Sequence, residues 1–168
     1  PEVIRVIFDR GTFGGVYEIL DVKIVDDSYP LKQILDDLNR VSTPDIEFAK
    51  VSEAVMNMKD IAFAEFQIVF DEIDKSTSQK IEDFFARPSI ICQKKTKKGG
   101  IKDIDIVPLI KKAELCENKL TLILTAGNEN NLNPTLVMDT LFEMQGIIPL
   151  YYSVIRTMIY NKNLEVFI

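Results

Sequence analysis

The chain has 168 residues, 46% of them apolar and 27% charged, with 20 Lys and Arg against 26 Asp and Glu for a net charge of −6. That is the composition of a folded globular protein, and its acidic balance excludes a general nucleic-acid coat, leaving room only for a localised basic site. Histidine is absent, which removes His-based triads, His-ligated zinc and imidazole proton shuttles together.

The longest apolar run, Gly146 to Tyr152, falls far short of the ~20 residues a membrane span needs. The start lacks the tripartite pattern of a signal peptide. Cys92 and Cys116 have no close partner in sequence and read as reduced core thiols of a cytoplasmic protein, not as a staple or a metal pair. The chain opens at Pro1, without an initiator Met, directly into a strand pattern. The expectation is a piece of a longer polypeptide.

Val3 to Phe8 is a β-rich run, closed by the glycine-rich turn Asp9 to Gly15 and answered by a second run, Tyr17 to Val25. Ser28 is the expected cap of a helix from Tyr29 to Val41, with Pro30 in its first turn. Leu31, Ile34, Leu35 and Leu38 form one apolar stripe on it. Thr43-Pro44 stops that helix, and Ile46 to Val55 reads as a strand. Met56 to Asp60 is a boundary, after which Ala62 to Asp71 is a strand rich in Phe and Ile. Ser76 with Gln79 forms a capping box for a helix bearing Ile81, Phe84 and Phe85, and Arg87-Pro88 ends it. Two further strands, Ser89 to Lys95 and Ile101 to Val107, flank a basic turn. Leu120 to Thr125 is a strand, Asn133-Pro134 starts the last helix and Gly146 closes it. Val154 to Tyr160 is the final clear strand, and Leu164 to Ile168 a short coda.

Ile101 to Tyr160 repeats the plan of Val3 to Val55: strand, strand, capped helix, strand. With the preceding strand and helix, the second half reads β-α-β-β-α-β, the ferredoxin-like order. The expected fold is therefore α+β: two ferredoxin-like units, 1–57 and 61–168, the first lacking its leading strand and helix. A gap at that central position calls for a donor strand, either Leu164 to Ile168 or the same element of a second copy. A homodimer through an open sheet edge follows as a candidate.

The most distinctive stretch is Lys94 to Ile110. It places Lys94, Lys95, Lys97, Lys98 and Lys102 within nine residues with no acid among them, so the rest of the chain sums to −11. Gly99 and Gly100 interrupt the run, and Ile104 and Ile106 then alternate with Asp103 and Asp105. That is a strand, a flexible cationic turn and a strand. Lysines act on phosphate as point charges and glycine amides allow close approach. Five such contacts predict an affinity that falls by roughly two orders of magnitude between about 50 and about 200 mM salt. The alternative is a solvated hairpin whose lysines blunt an edge. No aromatic lies within the run to stack a base.

The run Lys95-Thr96-Lys97-Lys98-Gly99, with Asp103-Ile104-Asp105-Ile106-Val107-Pro108-Leu109-Ile110, resembles a bacterial radical-SAM-linked domain of unknown function. Asn131-Leu132-Asn133-Pro134, Ile155-Arg156-Thr157 and Tyr17-Glu18-Ile19-Leu20-Asp21 are similar too. The resemblance covers essentially the whole chain and implies an accessory role beside a radical-SAM protein in RNA or ribosome-related modification. Members of that family carry an N-terminal strand and helix with a Ser-His-Leu-Asp stretch that this chain does not match. The chain has no Cys-x-x-x-Cys-x-x-Cys and so cannot itself hold a radical-SAM iron–sulfur cluster.

Other features read more weakly. Asp103 and Asp105 share a strand parity and are weak candidates for a divalent ion, though the wet side of an amphipathic strand explains them as well. Gly11 to Gly15 lacks the P-loop lysine and leads into a strand, so a hairpin turn is the better reading. Arg156 is placed either to reach a phosphate or to pair with an acid. No cofactor and no catalytic residue is called. The leading function is a non-catalytic module that presents RNA to a radical-SAM partner, with Lys94, Lys95, Lys97, Lys98, Gly99, Gly100, Lys102 and Arg156 as candidate contacts. The alternatives are an RNA-processing or RNA-modifying enzyme working with carboxylates and lysines, and a protein–protein adaptor without nucleic-acid contact.

Overall fold

A computed structural model of the chain describes residues 3–10, 15–26, 28–95, 99–127 and 131–168. The fold is α+β, with nine strands and three α-helices among the described residues. It divides into two compact units, Pro1–Ala62 with Ile155–Ile168, and Phe63–Val154.

In the first unit β1 (Val3–Asp9) is the middle strand of a three-stranded sheet. β2 (Glu18–Lys23) and β3 (Glu47–Glu53) pair antiparallel on its two sides. The sheet therefore has no central gap to fill: the strand after the helix pairs directly with β1. The coda does not enter it as a strand either, since Val166 makes only an isolated bridge to Tyr160. Residues from Ile155 onward nevertheless belong with this unit and not with the second, because the chain returns to it. Gly15 bridges Arg156 in parallel, and the Val16 amide donates to the Arg156 carbonyl at 3.0 Å.

Helix α1 (Leu31–Val41) starts at Pro30, whose extended backbone occupies the cap position without a side-chain cap bond. Ser28 does not cap it; its own amide is held by the Asp26 carboxylate at 3.0 Å in an Asx turn. At the other end Asn39 ties helix to sheet. Its Nδ2 donates to the Phe48 carbonyl and its Oδ1 accepts from the Phe48 amide, both at 2.9 Å.

Arg5, in the middle of β1, is fully buried. Its Nε and Nη2 donate to the two carboxylate oxygens of Asp21 at 2.7 and 2.8 Å. Nη2 also donates to the Met56 carbonyl at 2.6 Å, and Nη1 to the Ile168 carbonyl at 2.9 Å. The Phe167 ring, itself buried, lies 4.3 Å from the guanidinium carbon. Tyr17 donates to the Phe167 carbonyl at 2.9 Å, and burial raises the Tyr17 hydroxyl above its ordinary pKa against an opposing pull from Arg5.

After the first sheet come β4 (Ile61–Phe70), α2 (Lys75–Phe85), β5 (Ile91–Lys95), β6 (Ile101–Asp105), β7 (Ile110–Cys116), β8 (Lys119–Thr125), α3 (Pro134–Gln145) and β9 (Tyr152–Asn161); the second unit takes Phe63 to Val154 of them, and β9 passes into the first unit at Ile155. The four-stranded sheet runs β7-β8-β4-β9, and with α2 and α3 it completes the β-α-β-β-α-β order. Strands β5 and β6 stand apart from that sheet as a two-stranded hairpin. The sheet strand that precedes β8 is β7, not the expected Ile101 to Val107. β7 hides from a pattern reading because a register shift between Ile110 and Lys112 breaks its alternation. The 3-10 turn over Val107–Leu109 separates it from β6.

On β8 the residues Leu120, Leu122 and Leu124 point to one side, where they meet Ile81 and Phe84 of α2 and Val137, Met138 and Leu141 of α3 in one core. Asp74, one residue before α2, caps it by accepting from the Thr77 amide at 2.7 Å, in place of the expected Ser76–Gln79 box. Asn133, Pro134 and left-handed Gly146 bound α3 as the sequence suggests. Cys92 is a core thiol, whereas Cys116 is exposed because it ends an edge strand; neither is in a disulfide. Among the described residues no helix is long and apolar enough to cross a membrane.

Two substitutions probe the two cores. Leu122→Ala should lower stability by about 2–5 kcal/mol in urea unfolding, since it opens a void beneath both helices. Asp21→Ala should cost about 3–5 kcal/mol by leaving Arg5 buried without its carboxylate.

Candidate nucleic-acid interface

The hairpin that carries the lysines is fixed at its root. Ile90 and Ile106 are fully buried, and the Ile106 amide donates to the Ile90 carbonyl at 2.9 Å. Asp105 closes the junction: its Oδ1 accepts from the amides of Ile90 at 3.0 Å and Val107 at 3.1 Å. Those bonds, the one from Ile90 foremost, hold its carboxyl below the usual aspartate range. Asp105 is thus occupied in shaping the hairpin, and Asp103, exposed and opposite Gln93, stands without it. Among the described residues no cluster of three metal-ligating side chains exists.

Above the root the antiparallel register pairs Cys92 with Ile104, then Lys94 with Lys102, and Lys95 with Ile101. The Cys92–Ile104 rung sits on the core. Two residues further out the backbone register sets Lys94 opposite Lys102. Like charges at such a position work against the pairing of the strands. Lys102 is exposed, as are Ile101, Gly99 and Gly100 at the distal end. Gly99 adopts φ +81°, the left-handed region glycine tolerates, and a Cβ there would meet nothing within 4 Å. The turn glycine therefore faces open space. Lys97 and Lys98 lie outside the described residues, as do Gly11, Thr12, Phe13 and Gly14 of the glycine-rich turn.

Arg156 belongs to the first unit and the hairpin to the second. Its Nη2 is ion-paired with the Glu18 carboxylate. A Cβ on Gly15 would lie 2.6 Å from Glu18 Oε1, so glycine there leaves the room that the carboxylate occupies. Of the two roles open to Arg156 on sequence, the acid pair is the one with a partner in the structure.

Elsewhere in the second unit an open cleft at the start of α2 is lined by Asp71, Asp74 and Glu117. Its charge repels phosphate, and Asp74 already occupies an amide that an anion would use.

If Asp105 seats the hairpin, its contribution follows its protonation. A folded-state pKa below the ordinary value means the stabilisation is present above the ordinary value and is lost as pH falls through the folded one. Relative to Asp105→Ala, the wild type should show stronger hydrogen-exchange protection at the Ile90 and Val107 amides near neutrality. That advantage should vanish on acidification through the carboxylate range.

A protein-family model described as "Uncharacterized protein conserved in bacteria (DUF2344)" matches residues 13–134, more than half of the chain. No curated protein and no solved structure matches it.

Proposed function

The chain belongs to this bacterial family, and for it we propose a non-catalytic module that binds RNA through the β5–β6 hairpin and holds it for a radical-SAM partner. The observation that carries the reading is the register pair Lys94–Lys102, set just beyond a rung that packs on the core and followed by a turn glycine facing open space. A strand pair tolerates facing cations at a cost to itself, and a polyanion seated across them reverses the sign of that interaction. The anchored root supports it further, since Asp105 fixes the point at which the ribbon leaves the core. Five lysines along one phosphodiester chain give affinity through counterion release, with no demand on sequence.

Arg156 is ion-paired with Glu18, so the proposed contact rests on the lysines. The radical-SAM partner follows from the sequence resemblance, and the RNA from that resemblance together with the local charge. The net negative charge of the remainder of the chain confines the anion to the hairpin.

Fluorescence anisotropy with a labelled structured RNA tests this. Between about 50 and about 200 mM salt the affinity should fall by about 10²–10³-fold. Changing Lys95, Lys97 and Lys98 to Glu should abolish binding while the thermal unfolding midpoint holds. Binding that survives the charge reversal contradicts the proposal.

A further inference from the structure

The first unit holds an apolar crevice between its sheet and α1, of about 350 Å³. Ile4 and Val6 of β1 form its floor, Leu20 and Val22 of β2 one wall, and Ile34 and Leu38 of α1 the other. The apolar stripe of α1 contains no buried residue. At the mouth Leu20, Val25 and Tyr29 are all exposed. Leaving this many large apolar groups wet around one concavity forfeits burial worth about 25 cal/mol per Å² of apolar surface.

The second unit shows what the first lacks. There one face of the sheet is covered by two helices, α2 and α3, which share a single core with Leu120, Leu122 and Leu124. In the first unit α1 is the only α-helix among the described residues. It packs toward β3, and the apolar face over β1 and β2 beside it stays open. The crevice has the chemistry of a second helix's seat.

We propose that this crevice docks an amphipathic helix of a partner protein, one with apolar anchors at i, i+3, i+4 and i+7 and a basic opposite face. The anchors match a groove lined, Asp26 apart, by aliphatic and aromatic side chains. The basic face follows from charge. Among the described residues the one ionised group lining the crevice is Asp26, held as a carboxylate by its bonds to Ser28. The unit around it carries 9 Lys and Arg against 13 Asp and Glu in Pro1–Ala62 and Ile155–Ile168, a net −4. This surface is distinct from the lysine hairpin, and the proposal stands whether or not the hairpin binds RNA.

The chain has no tryptophan, so a peptide carrying one reports its own burial. The probe is a designed peptide of about 15 residues, with Leu at the four anchor spacings, one Trp among them, and Lys on the opposite face. Titrated with the full chain, it should gain helicity and shift its emission to the blue, with a Kd of about 10–100 μM. Backbone amide shifts should map to β1, β2 and α1. Leu20→Arg, at an exposed position on the mouth, should weaken binding about tenfold or more without altering the unfolding midpoint. An analogue with Glu in place of Lys should not bind. Several results overturn the proposal: no binding, amide shifts that map outside the crevice, equal binding of the Glu analogue, or a sedimenting dimer of the wild type that Leu20→Arg dissociates. The last would give the crevice to a second copy. Displacement of the peptide by laurate with unchanged helicity would give it to a small apolar ligand and overturn the proposal too.

Discussion

The buried Arg5 sets the form of the first unit. A guanidinium removed from water must find an anion and acceptors for its donors, or the unit does not fold. Arg5 finds Asp21 on β2, the Met56 carbonyl just past β3, and the Ile168 carbonyl at the far end of the chain. These groups lie 16, 51 and 163 residues from it. One side chain thereby fixes the sheet edge, the exit from the sheet and the terminal segment, while the Phe167 ring lies against it and Tyr17 holds the same segment through the Phe167 carbonyl. Because the terminal segment is committed here, residues from Ile155 onward join the first unit although they follow the second in sequence.

The second unit rests on a different principle. Its core is apolar throughout, built from alternate residues of β4 and β8 and the inner faces of α2 and α3. The hairpin can be cationic because it takes no part in that sheet beyond its root, where Cys92, Ile104 and Ile106 pack and Asp105 bonds the flanking amides. Division of labour follows: the sheet and helices carry stability, and the ribbon is free to carry charge.

Much of this was legible from the residues, and the failures have physical causes. Alternation showed the strands of VIRVIF and LTLILT, and the lysine-diglycine run showed the hairpin, because period-2 patterns and turn glycines act over a few residues. The α3 boundaries were legible because Asn133-Pro134 and Gly146 are local signals. β7 was not, since its bulge interrupts the pattern. The direct pairing of β3 with β1 was not, since strand order is a matter of tertiary partners. An arginine inside VIRVIF was the one sign of a buried ion pair, but nothing in its neighbourhood named Asp21 or Ile168. Arg156 was open between phosphate and acid because Glu18 is 138 residues away. The apolar crevice was not legible at all: the stripe of α1 and the parity of β2 look the same whether or not a further helix covers them.

The most direct test of the functional account is an NMR titration of the full chain with a structured RNA, following backbone amides. The account predicts shifts concentrated on the ribbon, at Gln93 to Lys95 and Gly99 to Lys102, fading as salt rises, with the amides around Arg5 unmoved. Shifts that avoid the ribbon, or that persist unchanged at high salt, would contradict it.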